Sequence, residues 1–424
     1  MIIGILLLVL LSLFVVNMPI AFGIIGAVAV ALTVKGIPFS VILQRMIAAT
    51  ESFPLMAIPF FLLAGSLMNS GGITKRLVRF AQTLVGHVTG GLAQVSVVTN
   101  MIMAGISGSA VADASGTGAI LVPTMVEAGF DKRFAAAVVG AAATIGPVIP
   151  PSISFVLYGS LTGTSVGKLF LAGAIPGIMV GLYLMVTCYV IAQRRNYPRE
   201  RRATFSEVVS SFRDSVLALI MPLIILGGVL GGAFTPTEAA AVAVAYAFVV
   251  GVFVYKELTI RDLYRVTLEA TVSTAAIMLI IAAASPLGWV LAWERVPQMI
   301  ADAFTAFTSS QWVVYLVINI LLLIFGCFVE ANATMILLIP VLFPLIQKVG
   351  IDPVQFGVVA TLNLMIGTIT PPFGVSMFVM SKIAGISIAE FTRAALPFIV
   401  VLILALLVIT YIPSIVLWLP SLLG

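Results

Sequence analysis

The sequence has little of what a water-soluble domain needs. Only 9% of its 424 residues are charged, against 61% hydrophobic. A soluble globular chain carries about 25% charged residues, so no water-facing surface can be assembled from this one. There is one histidine, and the two cysteines, Cys188 and Cys327, sit in apolar surroundings. That excludes a disulfide framework or a Cys/His metal cluster. His87, beside Gly86, reads as a packed or interfacial side chain rather than a base. No Walker A loop or HExxH helix is present. GISGSA, from Gly105, has Ser109 where a nucleophile elbow needs its second glycine. An ATP-driven pump, a metalloenzyme and a serine hydrolase therefore lack support, and the chain reads as no enzyme. The net charge of +5 is read as basic loops that fix a membrane orientation, not as a nucleic-acid footprint.

What the sequence has is apolar length. A bilayer-crossing helix needs about 20 mostly apolar residues. The fold class expected is an all-α polytopic membrane protein with ten crossings, near residues 2–16, 19–34, 54–69, 133–163, 170–191, 215–233, 236–254, 272–291, 355–383 and 391–418. The apolar N-terminus lacks a basic region and a small-residue cleavage site, so it is read as a span rather than a signal peptide. Two further apolar stretches, 88–128 and 311–346, are interrupted by small and polar residues at their middles and read as re-entrant hairpins. With the N-terminus periplasmic, sixteen of the twenty-one Lys and Arg fall in cytoplasmic segments, as the positive-inside rule favours. Both termini are then periplasmic.

Sliding the chain against itself by 221 residues aligns Leu121–Phe170 with Leu342–Phe391 without a gap. Pro123/Pro344, Gly129/Gly350, Asp131/Asp352, Gly146/Gly367, Pro150/Pro371 and Pro151/Pro372 are identical pairs. The chain is therefore expected to hold two repeats, residues 1–192 and 215–424, joined by a hydrophilic cytoplasmic linker at 193–214. Each repeat carries five crossings and one hairpin. Five is odd, so the second repeat enters from the opposite face, an architecture of secondary transporters.

Two spans break helix rules at equivalent places, ATIGPVIPPSIS (Ala143–Ser154) and LMIGTITPPFGVS (Leu364–Ser376). Proline inside a helix removes a backbone donor and costs about 3 kcal/mol or more. Unwound backbone at membrane depth is tolerated where it is buried or lines a polar cavity, and its free carbonyls suit a hard cation. The hairpin tips carry matching chemistry: GISGSAVADASGTG (Gly105–Gly118) is hydroxyl-rich, and GCFVEANATM (Gly326–Met335) carries Glu330, Asn332 and Thr334. Small residues also serve tight helix packing. Asp113 and Glu330 mark either an ion path or acceptors for the hairpins' own N–H groups.

GGAFTPTEAAAVAVAYA (Gly231–Ala247), SGSAVADASGTGAILVPTM (Ser107–Met125), IGPVIPPS (Ile145–Ser152) and IGTITPPFG (Ile366–Gly374) resemble the large (M, DctM or SiaM type) subunit of tripartite ATP-independent periplasmic (TRAP) transporters, over essentially the whole chain. The resemblance implies Na⁺-coupled import of an organic acid, such as a C4-dicarboxylate or sialic acid, across the bacterial inner membrane. It implies a small four-span membrane subunit (Q type) and a soluble periplasmic substrate-binding protein (P type) as partners. Hairpins and broken helices would move as an elevator against a scaffold. One Na⁺ site is then expected where Ser107 and Ser109 meet Gly146, Val148 and Pro150, and a second where Gly326 and Asn332 meet Gly367 and Thr370. The substrate is expected near Ser109, Asn332 and Thr370, with Asp113 and Glu330 as the adjacent carboxylates. A self-sufficient Na⁺/dicarboxylate carrier and an ion channel with pore loops are the rival readings.

Overall fold

The computed structural model describes residues 2–16, 18–308 and 310–423. Met1 and Gly424, the outer ends of the two expected repeats, lie outside them. The first half runs α1 (Ile2–Val15), α2 (Ile20–Lys35), α3 (Ser40–Thr50), α4 (Ala57–Ser70), α5 (Ile73–Val85), α6 (Gly91–Ser107), α7 (Ala110–Glu127), α8 (Lys132–Ala143), α9 (Ile153–Thr162) and α10 (Val166–Arg194). The second half runs α11 (Phe205–Leu230), α12 (Pro236–Val249), α13 (Ile260–Trp293), α14 (Val296–Phe307), α15 (Gln311–Phe328), α16 (Ala331–Val349), α17 (Pro353–Gly367), α18 (Val375–Ala384), α19 (Ile388–Tyr411) and α20 (Pro413–Leu423). A 221-residue shift sets the first residue of α7 on that of α16, Ala110 on Ala331, and the first of α8 on that of α17, Lys132 on Pro353.

The internally repeated residues recur for local reasons. Gly129 and Gly350 both take positive φ, 92° and 78°, where the chain leaves α7 and α16 and a side chain would be strained. Asp131 and Asp352 then restart the chain as N-caps, each carboxylate accepting from two backbone N–H groups of α8 or α17. Such a cap satisfies donors that a helix start leaves open.

Several expected boundaries are corrected. Helix α11 starts at Phe205, so the coil between the halves is shorter than the expected linker 193–214. The cause is a capping box in which Thr204 and Glu207 satisfy each other's backbone donors. The same device starts α13 at Thr259 and Asp262, well before the expected residue 272. The last expected span is two helices, α19 and α20, parted at Pro413. Helices α3, α5 and α14 were not expected. In α5 the stripe Ile73, Leu77 and Ala81 is buried while Arg79 and Lys75 face outward, a period of four that stood in the sequence.

Among the described residues, eight helical segments are long and apolar enough to cross a membrane, and α15 and α16 are two of them. The expected crossings α1 and α2 are 14 and 16 residues long, short of the usual span. Most of the buried apolar side chains form one cluster that includes the hairpins and the broken helices. A second, smaller cluster joins α1, α2, α3 and part of α13, around Ile24, Val28 and Leu287.

Candidate ion and substrate site at the hairpin tips

The first hairpin is α6 and α7, turning through Gly108 at φ 59°. A Cβ there would stand 2.9 Å from the Pro151 carbonyl oxygen and 3.3 Å from Ser152 Cα, so the tip is seated on the break between α8 and α9. Ser109 caps α7, accepting from the Ala112 N–H at 3.4 Å. Ser152 caps α9; its hydroxyl donates to the Pro147 carbonyl at 2.5 Å and accepts from the Phe155 N–H at 3.2 Å. The peptide bond between Pro150 and Pro151 is cis, as is that between Pro371 and Pro372.

Beneath this tip lies Asp113, in the first turn of α7, with no exposed surface. Its Oδ1 accepts from the Ser107 hydroxyl at 2.5 Å. Its Oδ2 is buried without a hydrogen-bond partner and lies against Gly146, where an added Cβ would stand 2.4 Å from it. Ser107, Asp113 and Gly146 thus meet. The Val148 carbonyl lies against Gly173 of α10, and the Pro150 carbonyl is 3.8 Å from where a Cβ on Gly105 would be.

The second hairpin, α15 and α16, is seated on the break between α17 and α18. A Cβ on Gly367 would fall 2.5 Å from the Gly326 carbonyl carbon and oxygen, and the Phe373 N–H donates to the Cys327 carbonyl at 3.0 Å. Glu330 caps α16: one carboxylate oxygen accepts from the Ala333 N–H and the other from the Asn332 side-chain amide, both at 2.9 Å. Thr370 donates its hydroxyl to the Ile366 carbonyl at 2.7 Å. One bond joins the junctions: the Ser154 hydroxyl of α9 donates to Asn332 Oδ1 at 3.2 Å.

The structure therefore brings the starts of α7, α9, α16 and α18 into one region, where helix dipoles favour an anion. Ser109, Glu330, Asn332 and Thr370 are half-buried there. Asp113, expected beside the substrate, is instead fully enclosed with Ser107 and Gly146. Two contributors escaped the sequence reading. Ser154 stood in PPSIS, three residues past the second proline. Gly173 and Gly177 give α10 a small-residue face against the first break, with a Cβ on Gly177 2.3 Å from Ile149 Cγ1; their four-residue spacing is a packing signal.

A bundle of apolar helices, with two hairpin tips seated on two broken helices that expose backbone and polar groups within it, defines a polytopic membrane protein of the transporter class. Residues 4–415 match the family model described as tripartite ATP-independent periplasmic transporter, DctM component, and the chain belongs to that family. It is a large permease component, a transport subunit and not an enzyme. It is 42% identical to the sialic acid TRAP transporter large permease protein SiaM of Vibrio cholerae, over 96% of this chain and 95% of that one. It is 43% identical to the C4-dicarboxylate TRAP transporter large permease protein DctM of Pseudomonas aeruginosa, over 90% and 89%. It is 42% identical to the sialic acid TRAP transporter permease protein SiaT of Haemophilus influenzae, covering 90% of this chain but only 62% of that protein. The solved YdaH transporter of Alcanivorax borkumensis shares the fold, with a TM-score of 0.64 at 16% identity, over 90% of this chain and 88% of that one.

Proposed function

We infer that this chain is the large permease subunit of a Na⁺-coupled TRAP transporter that imports an organic acid delivered by a periplasmic binding protein. It works with a small four-span subunit in the bacterial inner membrane. The observation that carries this reading is the pair of tip-on-break junctions in a member of the DctM family. Each junction offers backbone and side-chain oxygens of the kind a hard monovalent cation takes, and four helix starts between them favour a carboxylate. Relatives named for sialic acid and for C4-dicarboxylates both carry that group.

The two halves act as inverted repeats. Hairpins and broken helices move together as an elevator past a scaffold that includes α1–α4 and α11–α13, carrying ions and acid between the two faces. The separate small cluster of α1, α2, α3 and α13 supports a body distinct from the hairpins. Ion pairs support the sidedness: Lys35–Glu294 and Lys348–Asp302 join residues assigned to the periplasmic face, while Arg76–Glu257 and Arg79–Asp214 join residues assigned to the cytoplasmic one.

Proteoliposomes holding this chain and its small subunit, with the binding protein outside, test the reading. Uptake of the organic acid is expected only with all three components and an inward Na⁺ gradient. Uptake by this chain alone would favour a self-sufficient carrier, and a large acid-independent current would favour a channel.

A further inference from the structure

We propose that the coil between the halves, residues 195–204, forms a docking surface for anionic phospholipid together with the ends of the helices it joins. Arg194, Arg199 and Arg202 would take headgroup phosphates, and Phe205, Val209 and Phe212 would lie among the acyl chains. The proposal goes beyond the transport reading and does not depend on which acid or cation is carried.

Two side chains of the coil are fixed on the first repeat. Tyr197 packs against Phe130 and Phe134, with ring centroids 4.6 and 5.0 Å away, and its hydroxyl accepts from the Asp131 N–H at 3.4 Å. The Glu200 N–H donates to the Gly86 carbonyl at 3.0 Å, and its carboxylate accepts from the Gln82 side-chain amide at 2.6 Å. The coil is thereby held against the α5–α6 and α7–α8 turns, at the two ends of the first hairpin. Around these anchors Arg194, Arg199 and Arg202 are exposed and belong to none of the seven ion pairs among the described residues. The carboxylates beside them are engaged: Glu200 by Gln82, Glu207 by Arg201 and Asp131 by Arg133.

A solvated loop would account for the charge but not for what adjoins it. Helix α11 begins with Phe205 at 84% exposure, and Val209 and Phe212 are 48% and 46% exposed. Their spacing of four and three residues sets all three on one face of the helix. A separate face is turned to α5, where Ser211 meets Thr83 and Ser215 donates to the Arg76 carbonyl. At 26 residues α11 exceeds the about 20 that cross a bilayer, so its first turns reach the headgroup level. Apolar side chains beside arginines at that depth match the interfacial pattern, with rings among acyl chains and guanidinium groups on phosphates. Unpaired cations at the surface favour an anionic headgroup over a zwitterionic one.

The test uses the purified full-length chain in uncharged detergent at constant ionic strength. Phosphatidylglycerol, phosphatidylcholine with the same acyl chains, and glycerol phosphate are titrated in turn, followed by native mass spectrometry and thermal unfolding. Phosphatidylglycerol is expected to bind and to raise the unfolding temperature at concentrations where the other two do not. Arg194→Gln, Arg199→Gln and Arg202→Gln together should raise its half-saturating concentration about tenfold or more, from the attraction that each basic side chain contributes at an anionic surface. Lys75→Gln, Lys256→Gln and Arg261→Gln together remove the same charge from exposed residues outside the coil and should leave the titration unchanged. Phe205→Ser keeps every charge and should weaken binding severalfold; it carries the test if the arginine variant does not fold. Equal binding of the two lipids, an equal loss in the lysine-containing control, or an unchanged titration in the folded arginine variant or in Phe205→Ser overturns the proposal. So does a response to glycerol phosphate as strong as that to the lipid, which would mark a site for a soluble anion.

Discussion

The two tip-on-break junctions share a plan and differ in nearly every polar detail. At the first, the tip glycine meets the break backbone and an enclosed carboxylate looks at Gly146. At the second, two backbones touch directly at Gly326 and Gly367, and the carboxylate is spent on capping α16. Their footings differ too. The base of α8 is held by rings, with Phe130 stacked at 4.6 Å on Tyr197 and Phe134 tilted against it at 5.0 Å. The α17 half-helix is held by amides, with Asn363 donating to Asn319 at 2.8 Å and Asn319 donating to Thr410 at 3.1 Å. The two junctions thus share a backbone device while their side-chain chemistry differs.

The comparison breaks most readily at its glycines. Gly367→Ala places a Cβ 2.5 Å from the Gly326 backbone, which yields less easily than a side chain. Such overpacking costs about 1–3 kcal/mol, so acid-dependent Na⁺ binding should weaken by about ten- to a hundredfold, read by calorimetry with the organic acid present. Leucine at Gly146 or Gly367 should abolish Na⁺-dependent uptake while membrane assembly, followed by size-exclusion chromatography, is retained.

Next comes the tie between the junctions. Ser154→Ala removes the bond to Asn332, worth about 1 kcal/mol. The apparent affinity for the organic acid should fall about fivefold, while acid-free Na⁺ binding stays unchanged. An equal loss in both titrations would mean that the junctions are not separable.

A milder probe is already present in the chain. Cys327 is half-buried at the second tip, while Cys188 is buried. Maleimide labelling of Cys327 should slow severalfold when Na⁺ and acid are present together, and little with Na⁺ alone. Labelling counted by mass spectrometry checks this, and equal protection by Na⁺ alone would argue against an acid bound at the second tip.

The smallest effect concerns the paired caps. The Arg133 side chain, hydrogen-bonded to Asp131, holds that carboxyl below its ordinary value of 3.8. The carboxylate is therefore ionised throughout the neutral range, and its contribution to stability is present above about pH 4. It is lost as the pH falls through the lower folded value. Asp131→Asn should flatten that acid limb of the thermal unfolding profile, lowering the unfolding temperature slightly at pH 7 and converging with the unmodified chain at low pH.

Much of this was legible in the sequence because the signals were backbone signals. The Gly-x-x-x-Pro-Pro breaks, the hairpin tips and the 221-residue offset each follow from rules about proline, glycine and apolar length. The short helices were harder to read. Helix α5 is amphipathic and only 13 residues long, so a search for spans passed over it. The boxes at Thr204 and Thr259 were readable as Thr-x-x-Glu and Thr-x-x-Asp, but they sit in charged segments that resemble loops. The site was legible as a set of residues and less so as an arrangement. Asp113 and Glu330 look alike in sequence, yet one faces a break and the other a helix start. That difference depends on a single turn of helix and on what packs against it.

The most direct measurement is organic-acid uptake by proteoliposomes holding the full assembly, as external Na⁺ is varied at fixed ionic strength. If, as proposed, each junction takes one Na⁺, the dependence is expected to be sigmoidal with a Hill coefficient approaching two, and uptake is expected to be lost in Gly367→Leu. A hyperbolic dependence in the unmodified chain, or full uptake by the variant, would contradict the account.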